Sequence, residues 1–115
     1  MSINTTIRAA ITPIVPECAP DQYTGTATEY CTFNYTEIPD SFGDESPGAI
    51  RYLVQLHYFC PYIGKNGSYF NPYTKEKQLK NALLSAGFTY PSVTNASDSD
   101  GQHYVLEAEY CDGDV

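Results

Sequence analysis

The chain has 115 residues, which is the size of one ordinary domain, because a single hydrophobic core commonly serves roughly 100 to 150 residues. Hydrophobic residues make up 42% of the chain and charged residues 17%, a balance that excludes an intrinsically disordered protein. The formal net charge of −8 opposes sequence-independent binding to phosphate backbones, so a tightly bound nucleic acid is not expected. We therefore predict one folded domain over residues 1–115.

The first predicted element is a short amphipathic helix. Ser2 is a suitable N-cap, and Ile3, Ile7 and Ile11 recur at helical spacing behind it. Pro13 then removes a backbone donor, which ends the helix.

Two strands separated by a long loop are predicted next. Residues 28–37 alternate with a period of two and are rich in aromatic and β-branched types, which is typical of a strand. Residues 38–48 are rich in Pro, Gly and Asp and are predicted as a connecting loop. Residues 50–60 form the clearest predicted strand. Its apolar face consists of Tyr52, Val54, Leu56 and Tyr58.

A second helix follows a loop that contains the tight-turn dipeptide Asn66-Gly67. Asn71 is predicted as its N-cap and Pro72 as its first helical residue. Gly87 is predicted to end it, because glycine readily adopts the left-handed conformation that terminates helices.

The chain ends with two more predicted strands, at residues 88–94 and 102–111, joined by a turn at residues 95–101. In the last strand an apolar face alternates with a polar one. The apolar face is Tyr104, Leu106, Ala108 and Tyr110, and the other is His103, Val105, Glu107 and Glu109.

These elements predict an α+β fold with the order α-β-β-α-β-β. Each strand has one apolar and one polar face, whereas strands of a fully buried parallel sheet are apolar throughout. We therefore expect a four-stranded antiparallel sheet, or a mixed one, packed against two helices.

The residues indicate no catalytic, cofactor or metal site. His57 and His103 supply the two imidazoles, and both fall on the polar phase of their strands, where a solvated side chain is expected. No nucleophile-elbow, cysteine-protease or P-loop signature is present. His57 and Cys60 point to opposite faces of one strand and cannot share a zinc ion. The prediction is a protein that is not an enzyme.

The start of the chain and the cysteines both favour an intracellular protein. The first residues lack the basic and apolar regions of a signal peptide, and no run approaches the roughly 18 apolar residues of a membrane span. The wide cysteine spacing predicts free, mostly buried thiols at Cys18, Cys31, Cys60 and Cys111. A secreted, disulfide-linked and glycosylated domain is the alternative.

Three stretches of the chain resemble the tail-terminator proteins of long-tailed bacteriophages. They are the strand at residues 51–61, the helix end Ser-Ala-Gly-Phe-Thr-Tyr at 85–90, and Asn-Ala-Ser-Asp-Ser-Asp-Gly-Gln-His-Tyr-Val-Leu-Glu-Ala-Glu-Tyr at 95–110. In element order and size the resemblance covers nearly the whole chain. It extends to minor tail proteins of siphophages and of related prophages in Gram-positive bacteria.

That resemblance implies a structural virion protein without catalysis. It implies a subunit of a hexameric ring that caps the tail tube, stops its polymerisation and joins the tail to the head. The implied partners are further copies of the chain, the major tail tube protein and a head-completion or connector protein. DNA would pass through the lumen without specific binding. The implied location is the bacterial cytoplasm during assembly and then the virion tail, with no membrane association.

Two alternatives stay open. Another phage head–tail connector or head-closure protein would share the size, the acidity and the assembly role. A small enzyme or ligand-binding domain would use the polar strand face with His57, His103 and Glu107.

For an assembly protein, the predicted contact residues lie in loops. Large aromatic side chains supply much contact area at a low entropic cost, which is why they dominate interface hot spots. Acidic residues beside them would face a partner or form the turn. The predicted partner-binding residues are Phe42, Asp44, Tyr62, Tyr69, Phe70, Asp98 and Asp100.

Overall fold

The computed structural model describes residues 2–42 and 47–112, with the side chains of all of these except 39–42, 47–49 and 112. Two helices and five strands make up this part of the chain. They are α1 (Ile3–Ile11), β1 (Cys18–Pro20), β2 (Tyr30–Phe42), β3 (Pro47–Cys60), α2 (Tyr73–Ser85), β4 (Ser92–Asn95) and β5 (Gln102–Asp112).

The strands form one mixed sheet with the order β1-β2-β3-β5-β4. β1 runs parallel to β2, and every other neighbouring pair is antiparallel. The predicted α+β class is confirmed, whereas the four-strand count and the order α-β-β-α-β-β are wrong. The missed strand is β1, whose three residues are too short to show an alternating pattern.

The loop predicted at residues 38–48 is also wrong over most of its length. β2 and β3 continue to pair there, with Pro39 opposite Ile50 and Phe42 opposite Pro47. We call this extension, residues 39–42 with 47–50, the ribbon; beyond the Pro39–Ile50 pair no described residue of β5 accompanies it, so it has two strands there. A proline is tolerated in it because Pro39 lies on an outer strand, where its nitrogen can face away from the ladder. Turn-type residues therefore did not exclude a strand here.

The ribbon lengthens the molecule. β1 pairs with β2 only from Cys31 to Phe33, and β5 accompanies β3 only as far as Ile50. The principal extents are 60 × 24 × 24 Å. The radius of gyration is 15.6 Å, compared with about 13 Å for a compact domain of this length.

Both helices pack on the same face of the sheet and enclose the core with it. The apolar faces predicted for the first helix, for β3 and for β5 are confirmed. Ser2 caps α1 as expected, and its Oγ accepts the Thr5 N–H at 3.2 Å. The core side chains include Ile7, Ile11, Phe33, Val54, Leu56, Tyr58, Leu79, Leu83 and Leu106.

The second helix begins one residue later than predicted. Pro72 is its N-cap, and Asn71 Oδ1 accepts the N–H of Tyr73 at 3.0 Å. Gly87 follows the helix with φ of 100°, as predicted from its position. The strand predicted at residues 88–94 is reduced to β4, because Phe88 instead turns into the core. No helix in the described ranges is long and apolar enough to cross a bilayer.

A polar network joins the sheet to the helices. The Tyr58 hydroxyl donates to Glu29 Oε2 at 2.5 Å. Lys75 Nζ donates to both Glu29 oxygens, at 3.1 and 3.3 Å, and to the Ile14 carbonyl at 3.2 Å. Burial, and then the hydrogen bond to Glu29, raise the pKa of Tyr58 above its ordinary value. The network fixes α2 against the chain that follows α1.

Candidate functional site

One face of the sheet has no helix over it in the described part of the chain. Because successive strand residues point to opposite faces, the residues that alternate with the core of β2, β3 and β5 all point to this side. We call it the open face.

A row of stacked rings crosses the open face. The Tyr23 and Tyr30 ring centroids are 4.4 Å apart, and Tyr30 is 4.8 Å from Phe59. Phe59 stacks in turn on His103 at 4.1 Å, and His57 lies 5.0 Å from His103. We call these five side chains the aromatic row. All five are half-buried, since each ring shields its neighbours.

Pairing register builds this row from residues that are distant in sequence. Tyr30 lies directly opposite Phe59, and Phe59 lies directly opposite His103. Tyr23 joins from the loop before β2, where its hydroxyl accepts the Ala27 N–H at 3.1 Å. Gly25 leaves room for the ring, because a Cβ at that position would overlap it. The sequence places aromatic residues on the polar face of three strands. It does not give the pairing register that makes these residues neighbours.

The two histidines form a hydrogen-bonded pair. His57 Nδ1 and His103 Nε2 are 2.8 Å apart, so one ring N–H donates to the unprotonated nitrogen of the other. Burial lowers the pKa of His57, opposed by the charge of Glu107. Burial, then the charge of His57, lower the pKa of His103, opposed by Asp98. The expectation of two separate, solvated histidines is therefore wrong.

An acidic turn adjoins the row. Asp98 and Asp100 are exposed, and Asp98 Oδ1 accepts the Asp100 N–H at 2.9 Å. Between this turn and the row lies a cavity of about 370 Å³, which we call the notch. Its walls include the rings of Tyr30, Phe59 and His103 on one side and the two aspartates on the other.

The predicted aromatic contacts of the second loop divide into two kinds. The Tyr62 hydroxyl donates to the Asp98 carbonyl at 2.7 Å, and the side chain is 40% exposed. The Tyr69 hydroxyl donates to Gln102 Oε1 at 3.2 Å, with 61% of the side chain exposed. Phe70 packs against the core instead. The structure therefore brings Tyr62 close to the notch but assigns Phe70 to the interior.

The structure does not place the two predicted contact residues of the first loop at this site. Asp44 lies outside the described residues. The backbone of Phe42 ends β2 in the ribbon, and its side chain also lies outside the described set.

Gln102 is an organising residue that the sequence did not indicate. It is 2% exposed, and its Nε2 donates to the carbonyls of Pro61 at 3.0 Å and Phe70 at 2.7 Å. Its Oε1 accepts the hydroxyls of Tyr69 and Tyr104. It fastens the second loop beside the notch. The sequence did contain one indication of this role: Gln102 lies on the apolar face of the last strand, where a polar side chain needs hydrogen-bond partners.

A wider groove occupies the other half of the open face. It has a volume of about 660 Å³, and Gln55, Glu107 and Glu109 are among its lining residues. Gln55 Nε2 donates to Glu107 Oε2 at 3.4 Å. The alternative ligand-binding set is thus gathered on one face, with the His57–His103 pair beside Glu107.

The site is equipped to bind a cation carried on an apolar stem. The exposed carboxylates of Asp98 and Asp100 attract a cation, and the half-buried rings beside them offer apolar surface to its stem. Within the described ranges, no group of three or more His, Cys, Asp or Glu side chains could hold a metal ion. Comparison with protein-family models and with curated proteins finds no match to this chain.

Proposed function

We propose that this chain is a structural subunit of a ring at the head-facing end of a long-tailed phage tail. There it ends polymerisation of the tail tube and joins the tail to the head-completion complex. The observation that carries the proposal is the open face, where the aromatic row crosses a sheet surface that no described helix covers.

The composition of the open face supports an interaction role. The central parts of protein interfaces are enriched in aromatic side chains, and a few such anchors supply most of the binding energy. The aromatic row supplies five adjoining rings, already ordered by stacking and by strand pairing. Little side-chain entropy would be lost when a partner covers them.

The ribbon supports an assembly role by its reach. A ring subunit contacts neighbours on both sides and partners above and below. A two-stranded extension from a 60 Å long molecule gives contact points far from the core. Excess length of this kind has no use in packing the subunit's own interior.

The charge supports the position at a DNA passage. With a formal net charge of −8, a ring of several copies would repel the phosphate backbone and let it slide through. The sequence resemblance to tail terminators joins these physical features to one place in the virion.

The test uses the purified chain alone and mixed with tail tube protein. Light scattering should give the mass of a closed oligomer, and negative-stain images should show rings seated at one end of each tube. Tubes should also stop growing when the chain is added. A chain that stays monomeric and never occupies a tube end would refute the proposal.

A connector or head-closure protein is the nearest alternative, and the same preparation separates it. Such a protein would be captured by portal-ring complexes and would ignore tail tubes. A ligand-binding domain is the second alternative, favoured by the polar groove beside the histidine pair. Replacing both histidines by Ala would then abolish ligand binding, whereas a ring subunit should still assemble.

A further inference from the structure

The helix α2 carries a stripe of side chains on the flank where Lys80 Nζ lies 5.7 Å from the centroid of the Tyr90 ring. Tyr73, Lys77, Lys80 and Leu84 follow one another at spacings of four, three and four residues, so they share one face of the helix. Tyr73 is 68% exposed and Leu84 is 49% exposed. We call these four residues the α2 stripe.

The stripe is apolar at both ends and basic in the middle. Lys80 is paired with Glu76 at 3.8 Å. Lys77 is exposed and makes no ion pair with any described residue. An exposed tyrosine and leucine flanking a free cation form the pattern of a helix face that docks in a groove.

The helices differ in charge from the rest of the chain. The two helices together carry Arg8, Lys75, Lys77 and Lys80 against a single acid, Glu76. The other 13 of the 14 acidic residues lie outside the helices, together with only two of the six basic residues. The helices themselves are therefore net basic within a strongly acidic protein, with Lys75 paired to Glu29 beside them, and Asp98 and Asp100 at the notch are acidic.

The two surfaces also agree in length. From Tyr73 to Leu84 the stripe spans 11 residues, or about 17 Å at the rise of an α-helix. The ring centroids from Tyr23 through Tyr30 and Phe59 to His103 are 4.4, 4.8 and 4.1 Å apart in succession, so the row spans about 13 Å. A helix lying along the row would set its central cation near the acidic turn.

We propose that the α2 stripe of one copy docks on the aromatic row of a second copy, with Lys77 in the notch between Asp98 and Asp100. The inference rests on the proposed function, because it names the contact that builds the ring. The two surfaces are different patches on different elements of one chain, so the contact is head-to-tail. Head-to-tail contacts generate closed rings when the rotation between copies closes.

Two charge variants test this contact. Lys77→Glu reverses the stripe. Asp98→Asn with Asp100→Lys reverses the notch, and the asparagine keeps the Oδ1 acceptor that forms the turn. Each variant should lose at least tenfold in association constant by light scattering or analytical ultracentrifugation.

Matched controls change the same charges elsewhere. Arg8→Glu alters an exposed cation on the other helix, and Glu37→Lys alters an exposed acid on β2, seven residues from Tyr30 along the strand. Both should associate as the unchanged chain does. Circular dichroism and urea unfolding on all four variants verify that each is folded.

Mixing gives the decisive result. When the two charge-reversed variants are combined in equal amounts, each intact stripe finds an intact notch, and each reversed stripe finds a reversed notch. Association should return in the mixture although neither variant associates alone. A symmetric contact of the open face with itself would give no such rescue.

The outcomes separate this inference from the proposed function. If the unchanged chain forms rings and Lys77→Glu forms them equally well, the docking inference is wrong and the ring subunit stands. Failure of the mixture to associate, with both variants folded, also overturns the inference. If the unchanged chain never assembles, alone or on tail tubes, both proposals are refuted.

Discussion

At the scale of single residues, the histidine pair links the open face to pH. His57 and His103 have lowered pKa values in the folded chain, whereas both rings titrate near 6.5 when the chain is unfolded. Below that pH the two histidines are more fully protonated in the unfolded chain than in the folded chain. Acid therefore favours unfolding, and the stabilisation returns as the pH rises through this window.

We predict that the free energy of unfolding is lower at pH 5.5 than at pH 7.5, and that part of this difference comes from His57 and His103. Urea unfolding at the two pH values measures the difference. The double variant His57→Gln, His103→Gln should show a smaller pH dependence. An unchanged pH dependence in the double variant would contradict the prediction, since carboxylates would then account for all of it.

Gln102 provides the second residue-scale prediction. Gln102→Ala should lower the free energy of unfolding by about 2 to 3 kcal/mol, because it leaves buried carbonyls and hydroxyls without their partner. Gln55→Ala is the matched control: it removes the same side-chain type from the open face, where one long hydrogen bond is lost, and should change stability by less than about 0.5 kcal/mol. Equal effects of the two substitutions in urea unfolding would show that Gln102 does not hold the loop.

At the scale of elements, the ribbon should be separable from the folded core. We predict that replacing residues 39–50 by Asn-Gly, which closes a hairpin on the Ile38–Arg51 pair, changes the free energy of unfolding by less than about 1 kcal/mol. The reason is that, among the side chains of β3 that the structure describes, the first buried one is that of Val54. Urea unfolding measures stability, and light scattering should show a loss of assembly. A shortened chain that assembles fully would remove the ribbon from the proposed contacts.

Elements with a long, regular pattern were predictable from the sequence. The alternation in β3 and β5 and the isoleucine spacing in α1 each identify a buried face without tertiary information. β1 and the ribbon could not be found in this way. β1 is only three residues long and pairs with the parallel strand β2, which its own sequence cannot indicate. The ribbon contains prolines, which a strand tolerates only at an edge of the sheet, and the sequence does not show which strands lie at an edge.

The candidate site was less predictable than the fold. Asp98, Asp100 and Tyr62 were expected at a contact surface, and they do lie at or beside the notch. The aromatic row was not anticipated, because Tyr30, Phe59 and His103 become neighbours only through the register of three strands. Residue type alone indicated that aromatic side chains would form contacts. It did not indicate on which face of the sheet they would lie together.

At the scale of the whole molecule, the cysteines give a count that tests the redox state of the chain. The expected burial of most thiols is confirmed, since Cys18, Cys31 and Cys60 are buried and Cys111 is exposed, whereas their free state stays a prediction. Burial raises the pKa of Cys18 and Cys60 to about 11, so neither forms a reactive thiolate near neutral pH.

We predict that a thiol reagent at pH 8 modifies one cysteine rapidly in the folded chain and all four in denaturant. Absorbance of the released thiolate gives both counts. Cys111→Ser should abolish the rapid reaction and leave three thiols in denaturant. No free thiols in the denatured chain would instead support the disulfide-linked alternative.

Because β1 is short, it leaves part of the outer edge of β2 unpaired, and this affects the solubility of the unassembled chain. Past Phe33, and apart from the Asp21 amide that bonds the Phe33 carbonyl, no described residue pairs with the outer side of β2. The backbone groups of Tyr35 and Glu37 there could recruit a strand from another chain and begin aggregation. A negative charge at Glu37 and the missing N–H of Pro39 interrupt that template. Chains waiting for partners would thus stay dispersed at high concentration, and removing both features should make the protein precipitate.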